Sequence, residues 1–442
     1  MISNPETKAL LAERWERLPE SPKLGNQMVG QYWAQCGFTL GPSYCSFGCS
    51  HCYLPGNANR VPMPSIDEMK AQIDANRAAI GEGGNIQLTG GDLIDAYVRA
   101  GKKDELIELV AYCVESGLVP MIMTHGQSLM DDPDYLCELV VHGGLRKISC
   151  HIDITQAGRA GFPVKTLSNE AQLNAVRDKL VELVLDVRRR TGLPLNAAQT
   201  VTVTSRNINS IAEIIRWLVS RPCNMDVTRT LSFQPEAAVG RTRMDGQAVT
   251  PERVWQQIST ATGRDLPRNG LLYGHPDCTS TAVLLVGDGG EEIASLITSG
   301  KRSAEFWSRL LETLSGLNIK TNSPVRNTLV RTAAVMRRPG LVVTAFRYLW
   351  EQLRGREVSS GLLFAAVTGR ARGVNLVLHN FIHQADLIGV RDEKTCARLS
   401  ACSFRGAVRD SDGWSMLPMC EVNALQRPEI YSRKIREARA SV

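Results

Sequence analysis

Three cysteines lie close together near the start of the chain, in the segment Cys-Ser-Phe-Gly-Cys-Ser-His-Cys, at positions Cys45, Cys49 and Cys52. This spacing lets one short loop hold a cubane 4Fe–4S cluster, which normally takes four cysteine ligands. Three thiolates leave one iron without a protein ligand, and an open metal position is a reaction site. The segment therefore predicts a reactive iron–sulfur centre. The alternatives are a zinc knuckle or reduced structural cysteines, although no second thiol pair lies near enough in sequence to complete a zinc site.

A second motif begins where a short β-type run at residues 86–89 ends in Gly90, Gly91 and Asp92. The interval between the cysteines and this motif is long enough for one crossover that contains a helix. Paired glycines let the backbone approach a ligand closely, and a carboxylate can accept hydrogen bonds from an ammonium group. We therefore predict that this turn belongs to the same binding site as the cysteines.

With these two motifs the chain resembles the radical S-adenosylmethionine (radical SAM) superfamily. The resemblance implies that the open iron chelates the amino and carboxylate groups of SAM. It also implies that a ferredoxin- or flavodoxin-type donor supplies an electron to the cluster. The reduced cluster then cleaves SAM to methionine and a 5′-deoxyadenosyl radical, which removes hydrogen from an unactivated carbon. Two positions depart from the family pattern: Asp92 stands in place of the usual Glu, and His51 replaces an aromatic residue, with Tyr53 following the triad instead.

Composition is that of a globular enzyme. The chain has 442 residues, 43% apolar and 22% charged, which is room for two or three domains. No apolar run is long enough to span a membrane, and the polar start of the chain predicts no signal peptide. Twelve cysteines without a secretion signal favour a reducing compartment, so we expect a cytoplasmic protein, with peripheral membrane attachment as an alternative.

Short apolar runs alternate with helical patterns, which predicts an α/β fold with a mostly parallel sheet. The predicted strands are residues 86–89, 119–124, 147–152, 198–204 and 225–233, and the predicted helices are 65–80, 103–116, 169–191 and 208–220. The resemblance implies a partial (β/α)6 TIM-type barrel followed by an extension that holds an auxiliary cluster. We expect an N-terminal extension (1–36), the radical SAM core barrel (37–240) and a C-terminal auxiliary-cluster and substrate-binding region (241–442).

In barrels of this kind the site lies at the carboxyl ends of the strands. His125 is predicted there as a substrate contact, and Gln234 lies at another such end. A satisfied structural polar group is the alternative for His125 and Asp153. The predicted cofactor contacts are Tyr53, Gly90, Gly91, Asp92, Thr124, Asp153, Thr204 and Ser205.

Four cysteines in the second half, Cys278, Cys396, Cys402 and Cys420, are enough to saturate a second cubane. Their irregular spacing is equally compatible with scattered buried thiols. A closer resemblance favours the cluster: three segments are similar to the radical SAM subgroup that contains the archaeal tetraether lipid synthase and the pterin-methyltransferase-like proteins. The matching residues are His275, Pro276, Cys278, Thr279, His379, Asn380, Phe381, Cys402, Asp412, Gly413, Pro418, Cys420 and Asn423.

This closer resemblance implies one auxiliary cluster on the four downstream cysteines. His275 is the substitute ligand for Cys396, and an open iron is the other alternative. No pair of C-x-x-C motifs is present for a rubredoxin-like iron. His275, His379 and Asn380 are expected to contact the substrate.

Basic residues concentrate at the end of the chain: residues 301–442 carry 23 Lys and Arg against 12 Asp and Glu, a net charge of +11. Interleaved with apolar runs, they suit an anionic or lipid-like substrate, or a membrane surface, with a solvated helical face as the alternative. Nucleic acid is not expected, because aromatic residues total only 6% and no RNA-binding module is visible. The predicted phosphate partners are Arg326, Arg331, Arg337, Arg338 and Arg347.

The fate of the substrate radical is open at this point. The resemblance favours carbon–carbon coupling on a lipid-like or phosphate-bearing substrate. Sulfur insertion into a phosphorylated sugar, a nucleotide or an acyl group, with the auxiliary cluster as sulfur donor, is the first alternative, and radical methylation is the second. The non-enzyme alternative is an iron–sulfur electron carrier.

Overall fold

One large sheet organises the part of the chain that the structure, a computed structural model, describes: residues 5–162, 166–244, 248–315 and 338–440. Within these residues eleven strands form the sheet. In chain order β1 to β11 they are Cys36–Phe38, Asn85–Leu88, Val119–Thr124, Lys147–His151, Asn196–Val203, Thr228–Pro235, Thr279–Val286, Ile293–Ser295, Arg372–His379, Phe404–Arg409 and Trp414–Pro418. Their order across the sheet is β11-β10-β1-β2-β3-β4-β5-β6-β9-β7-β8.

Helices connect most of these strands. In chain order α1 to α16 they are Pro5–Glu16, Ile66–Ile80, Leu93–Arg99, Lys103–Glu115, Gln127–Asp131, Pro133–Val141, Asn174–Thr191, Ile211–Val219, Pro222–Val227, Pro251–Thr262, Lys301–Leu314, Pro339–Arg354, Ser360–Val367, Glu393–Ser400, Met419–Glu421 and Arg427–Ala440. Side-chain caps begin several of them, such as Ser65, which accepts from the Glu68 N–H before α2. Among the described helices, none is both long and apolar enough to cross a membrane.

The sheet is parallel from β10 through β1 to β6 and on to β9, and antiparallel only at its two margins. The prediction of an α/β fold with a mostly parallel sheet is therefore confirmed. One predicted strand begins too early: residues 222–227 form α9, and the strand starts at Thr228. Met225 and Val227 are buried in this helix, and a short buried apolar run has no periodicity that separates helix from strand.

The main hydrophobic core lies between one face of the sheet and the connecting helices. Alternate strand residues such as Ile86, Ile148 and Leu231 are fully buried in it, together with Leu109 of α4 and Leu180 of α7. Because side chains alternate along a strand, the residues between them face the other side of the sheet. That inner face is described below with the site.

The sheet curves back on itself. The ring of His379, at the end of β9, lies 4.9 Å from the ring of Phe404 in β10, at 90°. Six strands separate β9 from β10 in the sheet order, so a flat sheet would hold these rings far apart. Strands from the second half of the chain thus flank β1 on one side and β6 on the other, and the sheet continues beyond residue 240.

Candidate functional site

The loop that carries the first three cysteines follows β1 and is held by segments that follow other strands. The Gly48 N–H donates to the carbonyl of Ala157, beyond β4, at 2.8 Å. The Arg241 N–H donates to the carbonyl of Cys52, at 3.1 Å, just beyond β6. Because β1, β4 and β6 run in the same direction, these contacts hold the loop at the carboxyl-terminal edge of the parallel strands.

Gly90 and Gly91 pack directly against the backbone of this loop. A Cβ atom at Gly90 would lie 2.1 Å from the carbonyl oxygen of Pro42, and one at Gly91 would lie 2.1 Å from that of Tyr44. The Gly91 N–H donates to Pro42 O at 2.8 Å. Residues without side chains are therefore required here because two backbones meet. The predicted association of the glycine turn with the cysteine loop is present in the structure.

The three thiols of the loop are all partly buried. Burial raises the pKa of Cys45, and burial together with the neighbouring Cys52 raises that of Cys49 to about 12. Cys49 and Cys52 also contribute to the raised pKa of Cys45, because the charged forms repel one another across a short distance. The raised pKa values of Cys45 and Cys49 favour their protonated forms in the metal-free chain, and binding of a metal removes such protons.

Asp92 is turned into the chain. Its Oδ2 accepts from the Thr124 hydroxyl at 2.7 Å and from the His125 N–H at 2.5 Å, while Oδ1 accepts from the Asp95 N–H at 2.9 Å and caps α3. The side chain is 2% exposed. The Thr124 hydroxyl is thereby occupied by Asp92. The hydrogen bond between these two predicted cofactor contacts joins the turn after β2 to the end of β3.

We expect Asp92→Ala to lower the free energy of unfolding by about 1–3 kcal/mol, because three buried donors lose their acceptor. Urea unfolding of the metal-free protein measures this loss. Asp67→Ala is the matched control, an exposed acid in the first turn of α2, with an expected change of about 0.5 kcal/mol. Equal effects of the two substitutions would contradict the structural role of Asp92.

Asp95, one helical turn after Asp92, lies beside the cysteine loop. Its Oδ2 accepts from the Ser46 N–H at 2.6 Å and lies 3.5 Å from His125 Nε2. Burial alone would raise the pKa of Asp95, but the hydrogen bonds from His125 and Ser46 lower it to about 2. Ligand atoms of Cys45, Asp95 and His125 all lie within 4.8 Å of one another.

His125 is oriented by a further residue of the loop, Phe47, whose ring stacks on the imidazole at 3.9 Å and 6°. Sequence reasoning placed His125 at a strand end but missed Phe47 and Asp95. The spacing of three between Asp92 and Asp95 is a signal for Asp95, because residues three apart share one face of a helix. Nothing in the sequence pattern indicates the Phe47 contact.

Asp153, the predicted contact after β4, has its carboxylate occupied by the chain. Oδ2 accepts from the Thr202 N–H at 2.8 Å and lies 2.6 Å from His151 Nε2, while Oδ1 accepts from the Thr155 hydroxyl at 2.5 Å. Although burial opposes it, the adjacent His151 lowers the pKa of Asp153. The structure therefore surrounds this carboxylate with three stabilising partners.

The other predicted contacts at strand ends differ in exposure. The Thr204 N–H donates to the Asn207 side chain at 2.8 Å, which closes the turn after β5. Ser205, the next residue, is exposed. Tyr53 donates from its hydroxyl to the Gly90 carbonyl at 3.2 Å and so links the end of the cysteine loop to the glycine turn.

Three of the four downstream cysteines lie in segments that contact one another. The Ile382 N–H donates to the Cys420 sulfur at 3.5 Å, close to the segment that bonds Cys278, and Gly274 packs against the Ala401 carbonyl beside Cys402. Burial raises the pKa of Cys278 to about 11 and that of Cys420 further. Cys396 is exposed, and no described contact joins its thiol to the other three. Cys396 is thus the predicted cluster ligand that the structure does not bring together with the other three.

The predicted residues around these thiols also converge. The Asn380 N–H donates to the carbonyl of Cys278 at 2.8 Å, and the Cys278 N–H donates to the carbonyl of His275 at 2.9 Å. Arg398, which sequence reasoning missed, donates to the Cys278 sulfur at 3.4 Å and to the Asn380 carbonyl at 2.8 Å. His379 is half-buried, and this burial lowers its pKa to about 4.

Two of the five predicted phosphate partners are described, and both are on the surface. Arg338 pairs with Glu312 at 3.0 Å, and Arg347 is exposed on α12. Phe346 and Trp350, on the same helix, are 68% and 60% exposed. The remaining three, Arg326, Arg331 and Arg337, lie outside the described residues.

Polar side chains line part of the inner face of the curved sheet, and Met123 and Val377 lie on the same face. Ser149 Oγ lies 3.4 Å from Thr200 Oγ1, and His151 Nε2 lies 3.0 Å from Thr202 Oγ1. Farther round the sheet, Ser232 Oγ and Thr281 Oγ1 are buried without a hydrogen-bond partner among the described residues. From the strand register, this face also carries Lys147, Thr230, Gln234, Asn375, His379 and Thr279.

Comparisons with known proteins give partial structural matches. No family model matches the chain, and neither does any curated protein. Among solved structures, histidine-tagged anSMEcpe with bound AdoMet matches with 10% identity and a TM-score of 0.35. Native anSMEcpe with bound AdoMet and Cp18Cys peptide matches with 11% identity and a TM-score of 0.34. Each match covers 52% of this chain and 59% of the other, so the chain spans under two thirds of the length of those structures.

Proposed function

We propose that the chain is a radical SAM enzyme with a partial (β/α)6 barrel core. The observation that carries this proposal is the packing of the Gly90-Gly91 turn against Pro42 and Tyr44, at the carboxyl-terminal edge of the parallel strands. These two residues lead directly into the loop of Cys45, Cys49 and Cys52. Ligands of α/β proteins bind at that edge, outside the carboxyl ends of the strands. The resemblance of the two motifs to the radical SAM superfamily indicates the chemistry at this edge, which is reductive cleavage of SAM.

The residues present fit a cluster. Three partly buried thiols on one loop form a donor set of the right chemistry, with an open position where a fourth thiolate would complete the usual set. Buried guanidinium nitrogens of Arg159 and Arg427, beside the same loop, have no hydrogen-bond partner among the described residues. To the described residues, Arg159 donates only through Nη2 and Arg427 only through Nη1, so each guanidinium has buried donors left that an anionic group would satisfy.

When bound, the cluster would supply reductive cleavage of SAM and hydrogen abstraction by the resulting radical. The chain's own residues hold and shield that chemistry. Cys45, Cys49 and Cys52 would be the ligands, and the Gly90-Gly91 turn packs against the residues that lead into their loop. Asp92 positions the turn and the end of β3. Asp95, which has a carboxylate oxygen within 4.8 Å of the Cys45 sulfur, is suited to face a ligand ammonium group.

Anaerobic incubation of the reconstituted protein with dithionite and SAM tests the proposal. We expect 5′-deoxyadenosine and methionine in equal amounts, detected by liquid chromatography and mass spectrometry. Omission of the reductant is the control and is expected to yield neither product. A protein loaded with cluster that yields no 5′-deoxyadenosine would instead fit the electron-carrier alternative.

For the second metal site we propose an auxiliary cluster on Cys278, Cys402 and Cys420. The contacts between the segments that carry these three thiols support it, as does the Arg398 guanidinium that donates to one of them. The exposed Cys396 is the weakest of the four predicted ligands, and His275, two residues before Asp277 in the same turn, is the alternative. We expect Cys396→Ser to keep the iron content of the wild type and Cys420→Ser to lower it.

For the substrate, the polar part of the inner face supports a hydrogen-bonding molecule, because buried hydroxyls such as those of Ser232 and Thr281 lack partners among the described residues. This favours sulfur insertion into a phosphorylated sugar or nucleotide over coupling of hydrocarbon chains. Lipid-like substrates remain the second candidate, supported by the exposed Phe346 and Trp350 beside Arg347 on α12. Mass spectrometry of the product separates the reactions: added sulfur, a doubled carbon skeleton, or one added CH₂ for methylation.

A zinc site is the alternative interpretation of the metal centre at the loop of Cys45, Cys49 and Cys52, and one observation favours it. The ligand atoms of Cys45, Asp95 and His125 lie within 4.8 Å of one another, and these residue types bind zinc. Asp95→Asn separates the two readings. It removes a zinc ligand but leaves all three cluster thiols, so the radical SAM proposal predicts unchanged iron and the zinc reading predicts lost metal.

A further inference from the structure

Three arginines that the sequence motifs do not single out surround the loop of Cys45, Cys49 and Cys52. Arg159 follows β4, Arg241 follows β6, and Arg427 begins the C-terminal helix α16. All three have guanidinium nitrogens that are buried and make no hydrogen bond with the described residues: Nε and Nη1 of Arg159, Nε of Arg241, and Nε and Nη2 of Arg427. Arg427 is 0% exposed. A buried unpaired cation is costly, so such a group points to an absent negative partner.

Arg427 is fixed directly beneath the loop. Its Cζ lies 5.3 Å from the centre of the Tyr53 ring, and its Nη1 donates to the Tyr431 hydroxyl at 3.1 Å. Tyr431 packs with Leu54, and the Cys52 side chain lies against the same small cluster. The guanidinium is therefore held by two tyrosines, and one of them, Tyr431, belongs to the cluster against which Cys52 packs.

The other two arginines lie on the side of Cys49. Arg159 Cζ lies 5.3 Å from the centre of the Phe47 ring, and Arg241 is tied to the loop by its backbone. Electrostatic interactions link Cys49 to both Arg159 and Arg241, and Cys52 to Arg427. Positive charge thus approaches the thiols from two directions.

Among the described residues no carboxylate forms an ion pair with Arg427, although the charge of Asp153 acts on Arg159. The carboxylates nearest the loop have other hydrogen-bond partners. Asp92 accepts three hydrogen bonds from Asp95, Thr124 and His125. Asp153 is paired with His151, and the buried Glu236 lies 3.0 Å from His51 Nε2. Within the described part of the chain, the Arg427 guanidinium donates only from Nη1, to the Tyr431 hydroxyl, so its remaining donors and its charge are available to a group that the thiols hold.

We propose that Arg427, from the C-terminal helix, is a positioning residue whose charge, with those of Arg159 and Arg241, stabilises the reduced form of the cluster. The inference rests on the proposed function of the loop and deepens it. A cubane held by three thiolates is anionic, and reduction adds one more negative charge. A fixed cation at short range in a buried site favours the form with the greater negative charge, so it raises the reduction potential.

An EPR-monitored redox titration of the full-length protein, reconstituted anaerobically, tests this inference. The signal followed is the one that changes on addition of SAM, which separates the first cluster from any second one. We expect Arg427→Gln to shift its midpoint potential to a more negative value, while Arg427→Lys, which keeps the charge, stays near the wild type. The matched control is Arg433→Gln on the exposed side of the same helix, with no shift expected.

The possible outcomes distinguish an effect of the Arg427 charge from an effect of the shape of its side chain. An unshifted potential in Arg427→Gln, or equal shifts in the Gln and Lys variants, would overturn the inference. Should Arg427→Gln fail to hold iron, retention of iron by Arg427→Lys supports the charge role, and loss in both overturns it. A wild-type protein without any SAM-responsive signal would instead count against the proposed function itself.

Discussion

Replacing Cys45, Cys49 and Cys52 together by alanine is expected to abolish 5′-deoxyadenosine formation completely. The three thiols are the only protein ligands that the proposal assigns to the SAM-binding cluster. The same variant is expected to retain about four irons, the content of one cubane, on the downstream cysteines. Iron and sulfide analysis after anaerobic reconstitution measures the second result.

The control for this variant is Cys113→Ala together with Cys223→Ala. Both residues lie among the packed apolar side chains of the main core, away from the loop. That variant should keep the full iron content and the activity. A triple variant that retains no iron would contradict the auxiliary cluster. A triple variant that still forms 5′-deoxyadenosine would contradict the proposal that these three cysteines hold the SAM-binding cluster.

Glu170→Leu is expected to cost about 3–5 kcal/mol of unfolding free energy, because it strands a buried guanidinium that cannot lose its proton. Arg177 Nη2 lies 2.5 Å from Glu170 Oε2, and both side chains are fully buried. Glu170 Oε1 also accepts from the Ile154 N–H at 3.0 Å and from the Asn207 side chain at 2.8 Å. The pair therefore joins the end of β4 to the turn after β5, beside Asp153.

Urea unfolding of the metal-free protein measures this loss, with two comparisons. Glu213→Gln breaks an exposed ion pair with Arg216 and is expected to cost about 0–1 kcal/mol. The double variant Glu170→Leu with Arg177→Met should recover much of the stability, because it leaves no unpaired buried charge. A double variant as unstable as Glu170→Leu would show that the loss comes from packing rather than from the stranded charge.

The first half of the fold could be predicted from sequence because its signals are local. The strands at Val119–Thr124 and Lys147–His151 stand where alternating runs of apolar residues predict them, and α4 and α8 follow the helical spacing. The association of the glycine turn with the cysteine loop was also predictable, since both follow parallel strands. Neighbouring strand ends meet at one edge of a sheet.

The second half depends on contacts that the sequence does not encode locally. Strand β10 pairs with β1, and β9 pairs with β6, across separations of several hundred and over one hundred residues. Short strands of this kind are stabilised by non-local pairing rather than by their own periodicity. For the same reason the position of Arg427 beneath Tyr53 could not be anticipated. The orientation of the Cys396 thiol, exposed on α14, is likewise a property of packing.

The central claim is that the loop of Cys45, Cys49 and Cys52 holds an iron–sulfur cluster with one iron open to SAM. The most direct test is EPR spectroscopy of the reduced, anaerobically reconstituted protein before and after addition of SAM, with metal analysis of the same sample. The account predicts bound iron and sulfide and a signal that changes when SAM is added. Zinc at the loop, or an iron signal that SAM leaves unchanged, would contradict it.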